Sequence, residues 1–168
     1  MSDNDLGQAF RQAMRQMAGG VCVITADDGH ERTGLTATSV VSVSMDPPEL
    51  LISVNRGSSS WPVLQKAGRF GINVLSSAQR HVAENFSGKG GLRGAQRYAG
   101  DDWGRTPDGV WLSRRALAVF GCSIEKIIEH RQHALIVGKV TFIDTLPGNP
   151  PLTYWQGGYG SFAPPESA

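Results

Sequence analysis

The sequence predicts a mainly β protein: short antiparallel strands, a few short helices, and a closed or partly closed barrel. Three observations carry this. Apolar residues recur in short runs or at every second position over much of the chain. The strand-like segments follow one another without alternating helices, which excludes a doubly wound sheet. Glycine supplies 21 of the 168 residues, well above the usual ~7%, so tight turns and close backbone approaches should be frequent.

Taken in order, Leu6, Phe10, Ala13, Met14 and Met17 recur at helical spacing. Asp3, Asn4 and Asp5 stand near the start of that helix, where acids suit its dipole, and Gly19-Gly20 ends it. Residues 21–26 form an apolar run, and Asp27-Asp28-Gly29 is a turn signal. Val41, Val43 and Met45 alternate with Ser42 and Ser44 before Asp46-Pro47-Pro48 breaks the chain. Strands follow at 50–54 and at 70–75, then two long ones at 117–128 and 133–143, with a last short strand at 152–155. Gly121 and Gly138 interrupt the long pair and mark bulges or close approaches. Short helices are expected at 58–66 and 79–86. The stretch 88–107 is rich in Gly and Arg, has no period, and reads as a mobile loop. Residues 1–162 therefore read as one domain and 163–168 as a disordered tail.

Composition excludes several classes. Charged residues are 18%, hydrophobic ones 40% and the net charge is +1, which argues against disorder and against nucleic acid as the main partner. No apolar run is long enough to span a bilayer, and the acidic N-terminus lacks the apolar core of a secretory signal. Cys22 and Cys122 lie in apolar strand-like runs without CxxC spacing. They read as buried reduced thiols of a cytoplasmic protein rather than as a disulfide or metal pair. Between residues 50 and 100, seven basic residues face only Glu84, a balance of +6. That stretch is either an anion-binding surface or a solvated basic face.

Four motifs bear on chemistry. In Arg56-Gly57-Ser58-Ser59-Ser60-Trp61-Pro62, a strand gives way to a helix start with three hydroxyls and an arginine. This is either a phosphate site or plain N-capping, for which one serine would suffice. Gly34-Leu35-Thr36-Ala37-Thr38-Ser39 offers small residues and hydroxyls to a planar ligand, or is an ordinary Thr/Ser-rich strand. His130 and His133, read as members of one strand, point to opposite faces, which argues against a two-histidine metal site. His133, at a strand edge, either reaches a ligand or is structural. Tyr154-Trp155-Gln156-Gly157-Gly158-Tyr159 places aromatics beside paired glycines, for stacking, a subunit contact or core packing. No Rossmann fingerprint, P-loop, nucleophile elbow or carboxylate pair is present.

The ordered set is more specific than any one motif. Phe10-Arg11-x-x-Met14, Gly20-Val21-x-Val23-Ile24-Thr25, residues 34–40 and Ser42-Val43-Ser44-Met45-Asp46-Pro47-Pro48 come first. Ser53-Val54-Asn55-Arg56 with Ser58 and Ser60, Phe70-x-Ile72-Asn73-Val74-Leu75, Gln79 and Phe86-Ser87-Gly88 follow. His133, Gly138, Pro151-Leu152-x-Tyr154, Gly157 and Tyr159 complete it. Over about residues 8–162 the chain resembles the flavin reductase family, the small NAD(P)H:flavin oxidoreductases that serve two-component monooxygenases. The resemblance implies an FMN-binding split β-barrel with Greek-key-like connections, usually a homodimer. It implies reduction of FMN or FAD by NADH or NADPH, and release of diffusible reduced flavin to a separate monooxygenase. It assigns Thr36, Ala37, Thr38 and Ser39 to the flavin ring and ribityl chain, with Ser53, Val54 and Asn55 lining the same pocket. Ser58 and Ser60, with Trp61 beside them, would hold the phosphate, and Lys89 or Arg93 would reach a phosphate or an adenylate. His133 and Tyr159 would stand where nicotinamide meets flavin. The family usually has Gly-Asp before this histidine, whereas this chain has Arg131-Gln132, which leaves His130 as the other candidate. Two further readings stay open: a non-catalytic flavin-binding module, and a split-barrel flavoenzyme with tightly held FMN acting on an organic substrate.

Overall fold

The computed structural model describes residues 3–163. The chain runs through α1 (Asp3–Met14), β1 (Gly19–Gly20), β2 (Cys22–Asp27), β3 (Arg32–Ala37), β4 (Val40–Met45) and β5 (Pro48–Asn55). Then come α2 (Trp61–Ala67), β6 (Arg69–Val74), α3 (Arg80–Phe86), β7 (Trp103–Arg105) and β8 (Trp111–Ser113). The long pair β9 (Ala118–His130) and β10 (His133–Thr145) is followed by β11 (Leu152–Trp155) and β12 (Gly158–Ser161). Seven strands form one antiparallel sheet in the order β3-β2-β6-β9-β10-β5-β4. The edge strands β3 and β4 are consecutive in the chain, joined by Thr38 and Ser39, yet do not pair. The barrel is therefore open at that seam. A three-stranded sheet (β1-β11-β12) and the β7–β8 hairpin complete the fold. Among the described residues no helix is long and apolar enough to cross a membrane.

Strand periodicity divides the core in two. Cys22, Ile24 and Ala26 of β2 face the inside of the curved sheet, with Ile52, Val54, Phe70, Ile72, Ala134 and Ile136. The intervening Val23, with Val21, packs on the outside against Leu75, Val82, Ala83, Phe86 and Tyr98. Both faces of β2 are covered, which is why it reads as a continuous apolar run. Helix α2 fills the inner side with Trp61, Val63 and Leu64 and ends at Gly68, whose φ of +68° suits glycine. Gly138 lets β10 pass over Phe70: a Cβ there would lie 2.5 Å from Phe70 Cζ.

Several sequence expectations need correction. Residues 88–107 are not a structureless loop: they hold a 3-10 turn (Gly94–Tyr98) and β7, and bury Arg97 and Tyr98. Tyr98 contacts Phe86 and Trp103 edge-on, and its hydroxyl donates to the Thr33 carbonyl. Sparse aromatics and one arginine anchor this segment, and such contacts leave no periodic signature. The strand at 152–155 is not the last, because β12 follows. His130 and His133 lie not on one strand but on two, directly opposite across the β9–β10 hairpin. Directly opposed residues share a face, so the two histidines project to the same side. Helix α1 stops at Met14, and its apolar stripe is not buried in this chain: Phe10 is 63% exposed. The alternating apolar residues of β4 are exposed too, Met45 at 85%. Cys22 and Cys122 are free and buried. The tail expected at 163–168 falls, past residue 163, outside the described residues.

Candidate functional site

A cleft of about 200 Å³ opens at the end of β3, lined by Thr36, Ala37 and Thr38 with Val21, Lys89 and Tyr159. It continues through Ser87, Lys89 and Tyr159 into a wider space of about 580 Å³ beside α3. Thr36 Oγ1 donates to the Ala83 carbonyl at 2.6 Å, tying β3 to α3 and leaving the hydroxyl only its accepting role. Tyr159 meets Tyr154 edge-on at 5.3 Å, and the Arg80 guanidinium lies 5.7 Å from its ring centre. Burial, helped by Tyr154 and Glu84, pushes the Tyr159 hydroxyl above its ordinary pKa, while Arg80 opposes the shift. It is a neutral donor at physiological pH.

At the far end of β5 the pairing with β4 stops at Ile52, leaving Ser53, Val54 and Asn55 beyond the last β4 partner. Ser39 and Ser53 bond reciprocally there: Ser53 N–H donates to the Ser39 carbonyl, and Ser39 Oγ to the Ser53 carbonyl. Val54 is wholly buried in the core, so only its backbone can line a site. Asn55 Oδ1 accepts from Gly57 N–H and shapes the turn into the serines. His133 is exposed, pairs with Asn55 on β5 and with His130 on β9, and lies outside the residues that line the cleft.

The serine run resolves into three roles. Ser60 is 1% exposed and donates to the Gly34 carbonyl at 2.7 Å; it makes no side-chain cap for α2. Ser59 accepts from Arg97 Nη2, and Ser60 Oγ accepts from Arg97 Nη1, both at 3.0 Å. Ser58 Oγ is buried without a partner. Trp61 belongs to the core. Arg56, expected beside these hydroxyls, instead pairs with Glu129 at 2.5 Å and donates to the Arg131 carbonyl. The basic residue at the serines is Arg97, which also donates to the Gly34 carbonyl.

Arg97 is the residue that sequence reasoning missed. It is 5% exposed, and among the described residues no carboxylate lies within ion-pair distance of it. Burial pulls its guanidinium below the ordinary arginine pKa. A buried cation without a carboxylate, on a serine turn that also holds the unpartnered Ser58 hydroxyl, is costly unless an anion completes the group. Gly34 joins this point to the cleft: Thr36 is two residues further along β3, about 7 Å away. The residues therefore fit a ligand with a flat head at Thr36, Ala37 and Thr38 and an anionic end at Ser58 and Arg97, as a flavin mononucleotide has. The local signal was the pair Arg97-Tyr98 in an otherwise aperiodic stretch, legible only once its burial is known.

This is the architecture of a flavin-binding β protein, and the comparisons agree. The family model described as "Flavin reductase like domain" matches residues 14–163, and the chain belongs to that family. It is 38% identical over 159 residues to the FMN reductase (NADH) RutF 2 of Methylorubrum extorquens, covering 95% of this chain and 91% of that one. It is 32% identical over 156 residues to the 4-hydroxyphenylacetate 3-monooxygenase reductase component of Thermus thermophilus, covering 90% and 94%. Among solved structures it is similar to the NADH:FAD oxidoreductase SgcE6 of Streptomyces globisporus, in complex with NAD and FAD fragments. That match has a TM-score of 0.87 and 26% identity, and covers 99% of both chains.

Proposed function

We propose that this protein is an NADH-dependent flavin reductase that passes diffusible reduced flavin to a separate monooxygenase. The observation that carries the reading is the buried, carboxylate-free Arg97 bonded to Ser59 and Ser60, on the turn that holds the unpartnered Ser58 hydroxyl and connected by β3 to the Thr36–Tyr159 cleft. The flavin, when bound, supplies the acceptor for a hydride from the nicotinamide. The chain's own residues bind and orient. Arg97 and Ser58 would hold the phosphate, and Thr36, Ala37 and Thr38 would present backbone and hydroxyls to the ring. Tyr159, held between Tyr154 and Arg80, would present a neutral hydroxyl and a flat face at the cleft mouth. Hydride transfer needs alignment rather than an acid–base pair.

A homodimer is part of this reading. The exposed apolar faces of α1 (Leu6, Phe10, Met14) and β4 (Val41, Val43, Met45) are more than a lone soluble chain ordinarily leaves open. The two buried free thiols suit a reducing, cytoplasmic setting.

The test is NADH oxidation followed at 340 nm in air, with and without added FMN or FAD. Oxidation that depends on added flavin is the expected result. Flavin binding without NADH or NADPH oxidation would overturn the reductase reading, and a yellow protein needing an organic co-substrate would replace it.

A further inference from the structure

The wider part of the cleft has an unusual charge arrangement. Arg80 and Glu84 stand one turn apart on α3 and form an ion pair of 2.8 Å between Arg80 Nε and Glu84 Oε1. Both line the space beside Tyr159, as does Lys89. Among the described residues Lys89 has no carboxylate within ion-pair distance. The space thus holds two cations and one anion, and the anion sits on the cation that reaches over Tyr159. Lys89 is free to meet a diphosphate. Glu84 engages Arg80 through Nε and offsets its charge, and it repels a further phosphate.

A nicotinamide dinucleotide with a 2′-phosphate carries about two more negative charges than one without it. We propose that Glu84 is a specificity-determining residue: by offsetting the charge of Arg80 and repelling a phosphomonoester, it restricts the electron donor to NADH. This rests on the reading of the cleft as the nicotinamide dinucleotide site. The pair is half exposed, so it contributes little to stability, but a carboxylate within about 8 Å of a phosphate still shifts binding severalfold.

The experiment is steady-state kinetics with NADH and with NADPH at saturating FMN. It uses the wild-type protein, Glu84→Gln, Glu84→Lys, and Glu84→Gln combined with Arg80→Gln. The quantity read is the ratio of kcat/KM for NADPH to that for NADH. The wild-type protein should favour NADH. Glu84→Gln should raise the ratio about tenfold, mainly through KM for NADPH, and Glu84→Lys should raise it further. The double variant should fall back toward the wild-type ratio, because the cation released by Glu84→Gln is Arg80. A ratio unmoved by both single variants, or a wild-type protein indifferent between the two donors, would overturn the proposal while leaving the reductase reading intact. A wild-type protein that oxidises neither donor in the presence of flavin would remove the reductase reading, and this proposal with it.

Discussion

Arg97 Nη1 lies 3.0 Å from Ser60 Oγ, and Ser60 Oγ lies 2.7 Å from the Gly34 carbonyl. This chain of contacts joins an aperiodic segment, the turn after β5, and the strand that ends in the cleft. It also separates two serines that look equivalent in sequence. Ser60 is spent on the protein, whereas Ser58 is unspent.

Ser58→Ala should therefore weaken FMN binding by about 1–2 kcal/mol while leaving thermal stability unchanged or slightly raised, since it removes a buried hydroxyl that bonds nothing. Ser60→Ala should do the reverse, lowering stability by about 1–3 kcal/mol because it removes a buried hydroxyl that bonds Thr33, the Gly34 carbonyl and Arg97 at once. A fluorescence titration with FMN and a thermal melt on each variant measure both effects. Equal behaviour of the two variants would refute the division of roles.

Arg97→Met keeps much of the side chain's bulk and removes the buried charge. Without ligand it should cost about 1–3 kcal/mol, because the Leu92 carbonyl and Ser59 lose their donor although no carboxylate is left behind. FMN affinity should fall by about 2–3 kcal/mol, the range of a charge-assisted bond. Riboflavin, which has no phosphate, should bind the variant and the wild-type protein alike.

The two thiols give a pH prediction. Burial pushes Cys22 up to about 11 and Cys122 up to about 12, from an ordinary 9.0. Each group is held neutral in the fold. Their contribution to stability is complete below pH 9 and is lost as pH rises from there toward 11–12. Neither thiol should react with a disulfide reagent in the native protein at neutral pH, and both should react in denaturant. Rapid labelling of either in the folded state would contradict their burial.

Gly138→Ala places a methyl 2.5 Å from Phe70 Cζ and 3.0 Å from Cys122 Cβ, in a strand flanked by partners on both sides. Backbone cannot retreat there, so unfolding in urea should show a loss of about 2–3 kcal/mol. Arg131→Gly should act oppositely. Arg131 holds φ at +53° in the β9–β10 turn, and glycine would relieve that conformation for a gain of up to about 1 kcal/mol.

His133→Ala should slow flavin reduction in stopped flow more than it weakens flavin binding. The same measurement on His130→Ala decides between two side chains that share one face. A wild-type reduction rate in His133→Ala, with a slowed one in His130→Ala, would move the role across the hairpin.

The class of fold was legible in local sequence. Alternation along β2, β6 and β10, the turn at Asp27 and the break at Pro47 and Pro48 are local signals, because a strand's period and a turn's residue types act within a few positions. Thr36, Ala37, Thr38, Lys89 and Tyr159, which the family resemblance named as site residues, line one cleft. Tertiary structure alone decided what pairs with what. The free β3–β4 seam and the hairpin turn that sets two histidines face to face are pairing choices rather than propensities, and the buried arginine in place of Arg56 at the serines depends on contacts between residues dozens of positions apart. Ser58 and Ser60 have the same side chain two positions apart. Only the neighbours that folding brings to each hydroxyl, Thr33, Gly34 and Arg97 for one and none for the other, make them different.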